Sequence, residues 1–332
     1  MKAWMSHAAG GPEMLVLEER PEPEAGEGEL LVRVQAVGVN FPDGLLIRDR
    51  YQVKPPRPFA PGGEFCGVVE RVGAGVSGFR AGDVVLGRCG WGAMAERIAL
   101  SQERCVRIPA GFPPDEAAAF LFAYATAYHA LHDEARIQPG ETLLVLGAAG
   151  GVGSAAVDLG RAAGARVLAG ASSEAKLAFA RSCGAADGLV YDADLPPGEA
   201  QQALARRLKA LAPGGVDVVF DPVGGAYAEP ALRSLGRGGR HLVVGFTAGI
   251  PRMPLNLALL KRCRIIGVDW RAFVNEEPEA NARNVDALLS LWAQRRVRPQ
   301  VTEVFDMASA PEAIRRMESR SVMGKLVVSL RH

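Results

Sequence analysis

The stretch Leu143–Gly153, LLVLGAAGGVG, constrains this chain more than any other. Leu143 to Leu146 is a short apolar run of the kind that forms a buried parallel strand. A glycine-rich turn follows, and Ser154 to Ala163 has helical composition. A strand that feeds a glycine turn and then a helix is the arrangement that cradles phosphate. Gly150 lets the backbone approach a pyrophosphate, because no Cβ stands in the way. Gly153 lets the helix pack closely on the strand. The helix N-terminus offers N–H groups and the positive end of a dipole. Gly150, Gly151, Val152 and Gly153 are therefore the expected pyrophosphate contacts. The spacing G-x-G-x-x-G falls on Ala148, Gly150 and Gly153, so alanine stands where the first glycine is usual. Such a motif alone also fits an ordinary tight turn, and support has to come from the next strand.

Arg166–Ala169 (RVLA) reads as that strand. The residue that holds the adenosine ribose lies roughly 20 positions past the glycines, and for NAD it is Asp or Glu. Here the strand tip is Gly170-Ala171-Ser172-Ser173, with Lys176 one helical turn on. Two hydroxyls and an ammonium suit a 2′-phosphate, where a carboxylate would repel it. NADPH is therefore expected over NADH, with Ser172, Ser173 and Lys176 on the phosphate. The competing reading makes Ser172 or Ser173 a helix cap and Lys176 a solvated charge. Glu174 is a further candidate for the ribose.

The chain has 332 residues and a net charge of +1. That length suggests two domains, with a core that needs no disulfide support. Near-neutral charge argues against nucleic acid or an anionic membrane as partner. Cys66, Cys89, Cys105, Cys183 and Cys263 are scattered and form no C-x-x-C. With no signal-peptide apolar core in MKAWMSHAAGGPEML, a cytoplasmic protein with reduced thiols is expected. Thr142–Val157 is too short and glycine-rich to span a bilayer.

Residues 1–120 read as β-rich. Strands are expected at Lys2–Trp4, 15–18, Leu30–Gly38, Phe65–Gly73, 83–87 and Ala95–Ala99, punctuated by glycine and proline as in an antiparallel barrel. The proline-rich 51–62 segment reads as a loop. Pro113 to Asp133 is helical in pattern. Strands at 143–147, 166–169, 189–191, 217–221, 241–245 and 264–268 then alternate with helices at 154–163, 174–183, 199–211 and 226–236. That alternation predicts an α/β domain, a Rossmann-type doubly wound parallel sheet. A helix at 280–297, a strand at 301–305, a helix at Pro311–Glu318 and a closing strand at Lys325–Leu330 complete the reading.

This order resembles the medium-chain dehydrogenase/reductase superfamily, and within it the zinc-independent quinone oxidoreductase branch. The stretches that carry the resemblance are VGVNFPDGLLIRDRY (37–51), APGGEFCGVVERVGAGVSGFRAGDVV (60–85), TAY (126–128), GAAGGVG (147–153), GGVDVVFDPVGG (214–225), GGRHLVVG (238–245) and MGKLVV (323–328). The resemblance implies an N-terminal GroES-like antiparallel β-barrel domain over 1–122, an NADPH-binding Rossmann domain over 123–268, and a return to the catalytic domain over 269–332. It also implies a homodimer joined through the 264–268 strand.

In metal-dependent relatives, catalytic zinc sits on a cysteine, a histidine and a further cysteine or aspartate. The matching positions here are Asn40, Gly63 and Phe122, and none of them ligates zinc well. The four-cysteine lobe of structural zinc is missing too, because Val85 to Met94 holds only Cys89. No metal is expected. His129 and His132 read as a solvated helix end. Without a Lewis acid, simple alcohol oxidation is disfavoured and a conjugated acceptor is favoured. A hydride enters a quinone or the β-carbon of an enone, and the charge spreads into a delocalised oxyanion. That chemistry needs positioning and a dry pocket more than a strong acid.

The resemblance supplies the remaining candidates. Asn40 is expected to face the cleft and hydrogen-bond either the nicotinamide ribose or the substrate oxygen, or else to satisfy a turn. Tyr51 matches a pocket tyrosine that stacks on the acceptor or donates to its oxyanion, or simply packs. Thr126 matches a residue near the nicotinamide. Asp43 and Glu64 are expected to tie pocket loops together. Tyr191 is expected on the adenine side, or as a sheet-edge aromatic. Gly245, Phe246, Gly267 and Val268 close two strands at the carboxyl edge, where such sheets bind ligands. Lys325 is expected to reach the cofactor. The expected function is NADPH-dependent hydride transfer to a quinone. The alternatives are reduction of an activated C=C bond in an enal, enone or enoyl thioester, a non-catalytic NADPH-binding protein, and a zinc alcohol dehydrogenase.

Overall fold

The computed structural model describes residues 1–319 and 321–331. The chain divides into two compact units, Met1–Phe122 with Pro299–His332, and Ala123–Arg298.

The first unit is built on a seven-stranded sheet. Its order is Val301–Asp306, Lys325–Ser329, Glu29–Val39, Glu64–Val72, Val84–Arg88 and Cys105–Arg107, with Arg97–Ser101 also paired to Glu29–Val39. Val301–Asp306 and Lys325–Ser329 run parallel, and every other pair is antiparallel. Leu30, Val32, Val37, Val39, Phe65 and Leu326 are completely buried in its core. The alternation read from the sequence fades toward the end of Glu29–Val39, because the short helix Pro114–Ala118 lies on it. A Cβ at Gly38 would stand 2.1 Å from the Ala118 carbonyl oxygen, so glycine is required there. The last strand closes on the same element, with Leu326 opposite Val39. That register brings Lys325 beside Asn40.

The return to the first unit begins at Pro299 rather than at 269. The intervening helices, Trp270–Glu276 and Pro278–Ala293, are tied into the second unit. Phe273 stacks on His129 with ring centroids 4.0 Å apart, and Asn284 donates to Asp133 at 2.6 Å. The Arg298 N–H donates to Asp158 at 2.7 Å.

The second unit holds a six-stranded, wholly parallel sheet. Its order is Asp187–Val190, Arg166–Ala171, Thr142–Val145, Val216–Asp221, Leu235–Val243 and Arg264–Gly267. By chain position this is the doubly wound order 3-2-1-4-5-6. The order reverses between Thr142–Val145 and Val216–Asp221, which sets the ligand crevice at their carboxyl ends. Leu143, Leu144 and Val145 are completely buried, as strands covered on both faces must be. The helix expected over 226–236 stops at Ser234, and Leu235 already belongs to a strand. Gly236, Gly238 and Gly239 absorb a register shift there, between the pairs Val216–Leu235 and Val218–Arg240.

Three short helices, Phe41–Ile47, Asn256–Lys261 and Trp270–Glu276, are absent from the sequence reading. The first had a signal, since Asn40, Pro42 and Asp43 make a helix start. Residues 121–134 form an almost continuous helical run that is widened into π turns, with the Ala135 N–H bonded five residues back to Ala130 at 2.9 Å.

Candidate functional site

In the second unit the turn after Thr142–Val145 leads into the helix Gly151–Ala162. Gly147 has φ +57°, so the left-handed residue that makes the turn sits one place before Ala148. This explains the alanine in the motif. A Cβ at Gly153 would lie 2.1 Å from the Gly147 carbonyl oxygen, which enforces glycine for close helix packing. A Cβ at Gly150 would meet only Gly147 O, at 3.4 Å, so the protein leaves the space over it open. Among the described residues, the N–H groups of Gly151, Val152 and Gly153 have no acceptor, and the first turn carries no acid. Three unpaired donors at a helix N-terminus fit a pyrophosphate.

Ser172, Ser173 and Lys176 converge at the tip of Arg166–Ala171. Lys176 Nζ donates to Ser172 Oγ at 3.2 Å, and partial burial lowers its pKa. Ser173 Oγ accepts the Lys176 N–H at 3.3 Å, so this serine also caps its helix. Glu174 is exposed. An ammonium and a hydroxyl already in contact form a ready site for a phosphate monoester.

Tyr191, expected on the adenine side or as a sheet-edge aromatic, is buried. It is 6% exposed, its ring lies 4.8 Å from that of Tyr227, and a Cβ at Gly170 would meet its edge at 3.0 Å. Its phenol oxygen accepts the Gly147 N–H at 3.0 Å. The tyrosine therefore supports the glycine turn from beneath.

At the carboxyl edge the sequence reading missed Asp221 and His241. Asp221 Oδ1 accepts the N–H groups of Val223 and Gly224 at 2.9 and 2.8 Å. Its Oδ2 lies 3.2 Å from Nε2 of the wholly buried His241, whose Nδ1 has no partner among the described residues. This pair fixes the 222–225 turn, and Val223 in turn packs on Gly147, where a Cβ would come within 3.0 Å of its Cγ2. Gly245, Phe246, Gly267 and Val268 lie at the same edge, and the Gly245 and Val268 N–H groups bond back to Asp221 and Val243. Phe246 is 49% exposed.

In the first unit, Asn40, Gly63 and Phe122 are brought together around Glu64. Asn40 Nδ2 donates to Glu64 Oε1 at 2.9 Å, and the Phe122 N–H donates to Oε2 at 2.9 Å. A Cβ at Gly63 would meet the Phe122 ring at 3.3 Å and Gly90 O at 3.2 Å. Lys325, expected to reach the cofactor, is buried, 3% exposed. Its buried ammonium donates to Asn40 Oδ1 at 2.6 Å and Glu64 Oε1 at 2.8 Å. The strand register that sets Lys325 beside Asn40 is the cause. Asp43 accepts the Asn40 N–H at 2.7 Å and the Gly62 N–H at 3.2 Å. Burial raises its pKa to about 7, against the pull of those donors and of Lys325. Asp43 and Glu64 thus tie loops together, as the resemblance implied.

Tyr51 is half-buried and packs against the first unit's core. Thr126 is half-buried at the start of the second unit. His132 stacks on Tyr128 at 4.1 Å, and His129 Nδ1 bonds Asp133 at 2.8 Å, so the two histidines serve packing and helix structure.

An antiparallel unit joined to a Rossmann-type unit with this glycine cradle defines the class of the medium-chain dehydrogenases and reductases. Residues 26–110 match the alcohol dehydrogenase GroES-like domain family, and residues 151–286 match the zinc-binding dehydrogenase family. Quinone oxidoreductase-like protein 2 of Rattus norvegicus is 36% identical, over 96% of this chain and 89% of that protein. The synaptic vesicle membrane protein VAT-1 homolog of Homo sapiens is 31% identical, over 96% and 84%. Among solved structures, the quinone oxidoreductase of Thermus thermophilus, described with its NADPH complex, superposes with a TM-score of 0.85 at 36% identity, over 99% of this chain and 100% of that one. The chain belongs to the quinone oxidoreductase-like proteins of the medium-chain dehydrogenase/reductase superfamily.

Proposed function

We propose that this protein is an NADPH-dependent oxidoreductase that passes a hydride to a quinone-type acceptor without zinc. The observation that carries the reading is the convergence of Asn40, Gly63 and Phe122 on Glu64. The three positions that hold metal in zinc-dependent relatives offer an amide already hydrogen-bonded, no side chain, and a phenyl ring. A metal needs three good protein ligands to act as a catalytic Lewis acid. The favoured substrate is therefore one whose own conjugation disperses the incoming charge.

NADPH, the cofactor described with the Thermus thermophilus relative, fits the cradle. The Gly151, Val152 and Gly153 N–H groups bind the pyrophosphate. Ser172 and Lys176 hold the 2′-phosphate. Tyr191 and Val223 keep the glycine turn in place, and Asp221 holds the turn at the carboxyl edge. When bound, NADPH supplies the hydride. Tyr51 and Thr126 remain our candidates for contact with the acceptor and the nicotinamide.

Steady-state oxidation of NADPH with benzoquinone, naphthoquinone and a 2-alkenal tests the proposal. Turnover with the quinones supports it. Turnover confined to the alkenal shifts the assignment to reduction of an activated C=C bond. NADPH binding with no turnover on any of them makes the protein a binding module.

We further propose a homodimer joined through Arg264–Gly267. This is the outer strand of the parallel sheet, and Ile250, Leu255, Leu259 and Leu260 before it are 84, 69, 79 and 68% exposed. Light scattering tests it. A cytoplasmic location remains our expectation from the free cysteines. No helix among the described residues is long and apolar enough to cross a membrane.

A further inference from the structure

Asn40 is half-buried, and its side-chain amide is nearly saturated. The two hydrogens of Nδ2 go to Glu64 Oε1 at 2.9 Å and to the Gly38 carbonyl at 3.2 Å. Oδ1 takes one bond, from Lys325 Nζ at 2.6 Å. A carboxamide has two donors and two acceptor lone pairs, so what remains is one lone pair on Oδ1. The amide cannot turn over. Rotated by half a turn, Nδ2 would face the Lys325 ammonium, and Oδ1 would face the Glu64 carboxylate and the Gly38 carbonyl. All three contacts would then be between like partners, in a site where the Lys325 and Glu64 side chains are 4 and 2% exposed.

We infer that Asn40 meets its ligand only as a hydrogen-bond acceptor, that the group it recognises is a hydrogen-bond donor and not the carbonyl oxygen of an electron acceptor, and that Lys325 and Glu64 are the positioning residues that impose this polarity. The inference deepens the proposed function and rests on it for the identity of the ligand. It assigns Lys325, whose ammonium is consumed within this network, a role other than cofactor contact. It also means that any group stabilising the oxyanion of a reduced quinone is not the Asn40 amide. Two sources of such a donor fit the chemistry, the cofactor through a sugar hydroxyl or its carboxamide N–H, and the hydroquinone formed by the reaction.

The test uses the full chain and the variants Asn40→Leu and Asn40→Ala, with thermal unfolding as a check on folding. NADPH affinity is read by fluorescence titration without acceptor. KM for benzoquinone and product inhibition by hydroquinone are read at steady state. Losing one neutral hydrogen bond is expected to cost roughly five- to tenfold in affinity. Asn40→Leu weakens NADPH binding by that factor if the cofactor is the donor. It weakens hydroquinone inhibition instead if the product is the donor. Either outcome supports the inference. Benzoquinone offers only acceptor oxygens, so its KM stays unchanged. Asn40→Ala, which also removes the acceptor oxygen, is expected to show the same pattern as Asn40→Leu.

A raised benzoquinone KM in Asn40→Leu with both other readouts intact overturns the inference, and so does no change in any of the three. Should Asn40→Leu not fold, Asn40→Ala decides by the same readouts: a loss confined to NADPH binding or to hydroquinone inhibition supports the inference, and a raised benzoquinone KM or no change in any readout overturns it. For the positioning role, Lys325→Arg preserves the affected affinity. The pair Lys325→Met with Glu64→Gln, which removes both charges together, lowers it without moving the benzoquinone KM. An equal loss in both, or no loss in the pair, overturns that part. Failure of wild-type turnover with every acceptor sinks the functional reading alone, because the NADPH titration still reports on Asn40.

Discussion

The phenol oxygen of Tyr191 accepts the backbone N–H of Gly147 at 3.0 Å. Gly147 is the residue whose left-handed backbone makes the cofactor turn. Removing the acceptor leaves a partly buried N–H unsatisfied, at a cost of about 1 kcal/mol. Tyr191→Phe keeps the ring against Gly170 and Tyr227 and is therefore expected to fold with a lower Tm. NADPH affinity is expected to fall by roughly tenfold as the turn loosens. Calorimetric Tm and fluorescence titration check the two effects. An unchanged NADPH affinity would separate the tyrosine from the turn.

Lys176 and Ser172 predict cofactor choice. A charge-assisted bond to phosphate contributes about 1.5–3 kcal/mol, which is roughly ten- to a hundredfold in affinity. Lys176→Ala is expected to lose most of that for NADPH and almost none for NADH. Comparing Kd for the two nucleotides in the same variant isolates the 2′-phosphate from the rest of the molecule.

Asp221 predicts a stability effect with a conservative rescue. Asp221→Ala strands the Val223 and Gly224 N–H groups and takes the carboxylate away from His241. Several buried polar groups lost together are expected to cost on the order of 3–5 kcal/mol. Asp221→Asn keeps one oxygen for the two N–H groups and can donate to His241, so it is expected to recover much of the loss. Denaturant midpoints for the two variants check the ordering.

How far these sites were readable from the sequence differs between the two units. The parallel sheet was legible almost strand by strand, because buried apolar runs and glycine turns are local signals. The glycine cradle and the Ser172–Lys176 tip followed from the same strand and its turn. The roles of Tyr191 and Lys325 were not legible. Tyr191 meets Gly147 from a strand two places along the sheet, and Lys325 meets Asn40 only through a strand pairing across most of the chain. Asp221 and His241 sit inside ordinary strand patterns, and only their register makes them a pair. The return point was set too early because the Pro278–Ala293 helix carries no sequence mark of the unit it joins.

Asp43 predicts a pH effect. Its folded pKa is raised from 3.8 to about 7, chiefly by burial. The folded state therefore holds a proton that the unfolded chain releases near 3.8. The resulting stability is fully present below pH 3.8 and is lost as pH rises through about 7. The loss is expected to be on the order of 2–4 kcal/mol. In Asp43→Asn the group no longer titrates, so the fall in unfolding free energy over that window is expected to flatten. Chemical denaturation at a series of pH values reads it.

The most direct measurement of the central claim is NADPH oxidation by naphthoquinone with the chain stripped of metal by a chelator. Full turnover is expected after stripping, with no gain on adding zinc. The kcat/KM for NADPH is expected to stand at least about tenfold above that for NADH, the least that the 2′-phosphate contact is worth. Activity that disappears on stripping and returns with zinc would contradict the zinc-free reading, and a preference for NADH would contradict the assignment of Ser172 and Lys176 to the 2′-phosphate.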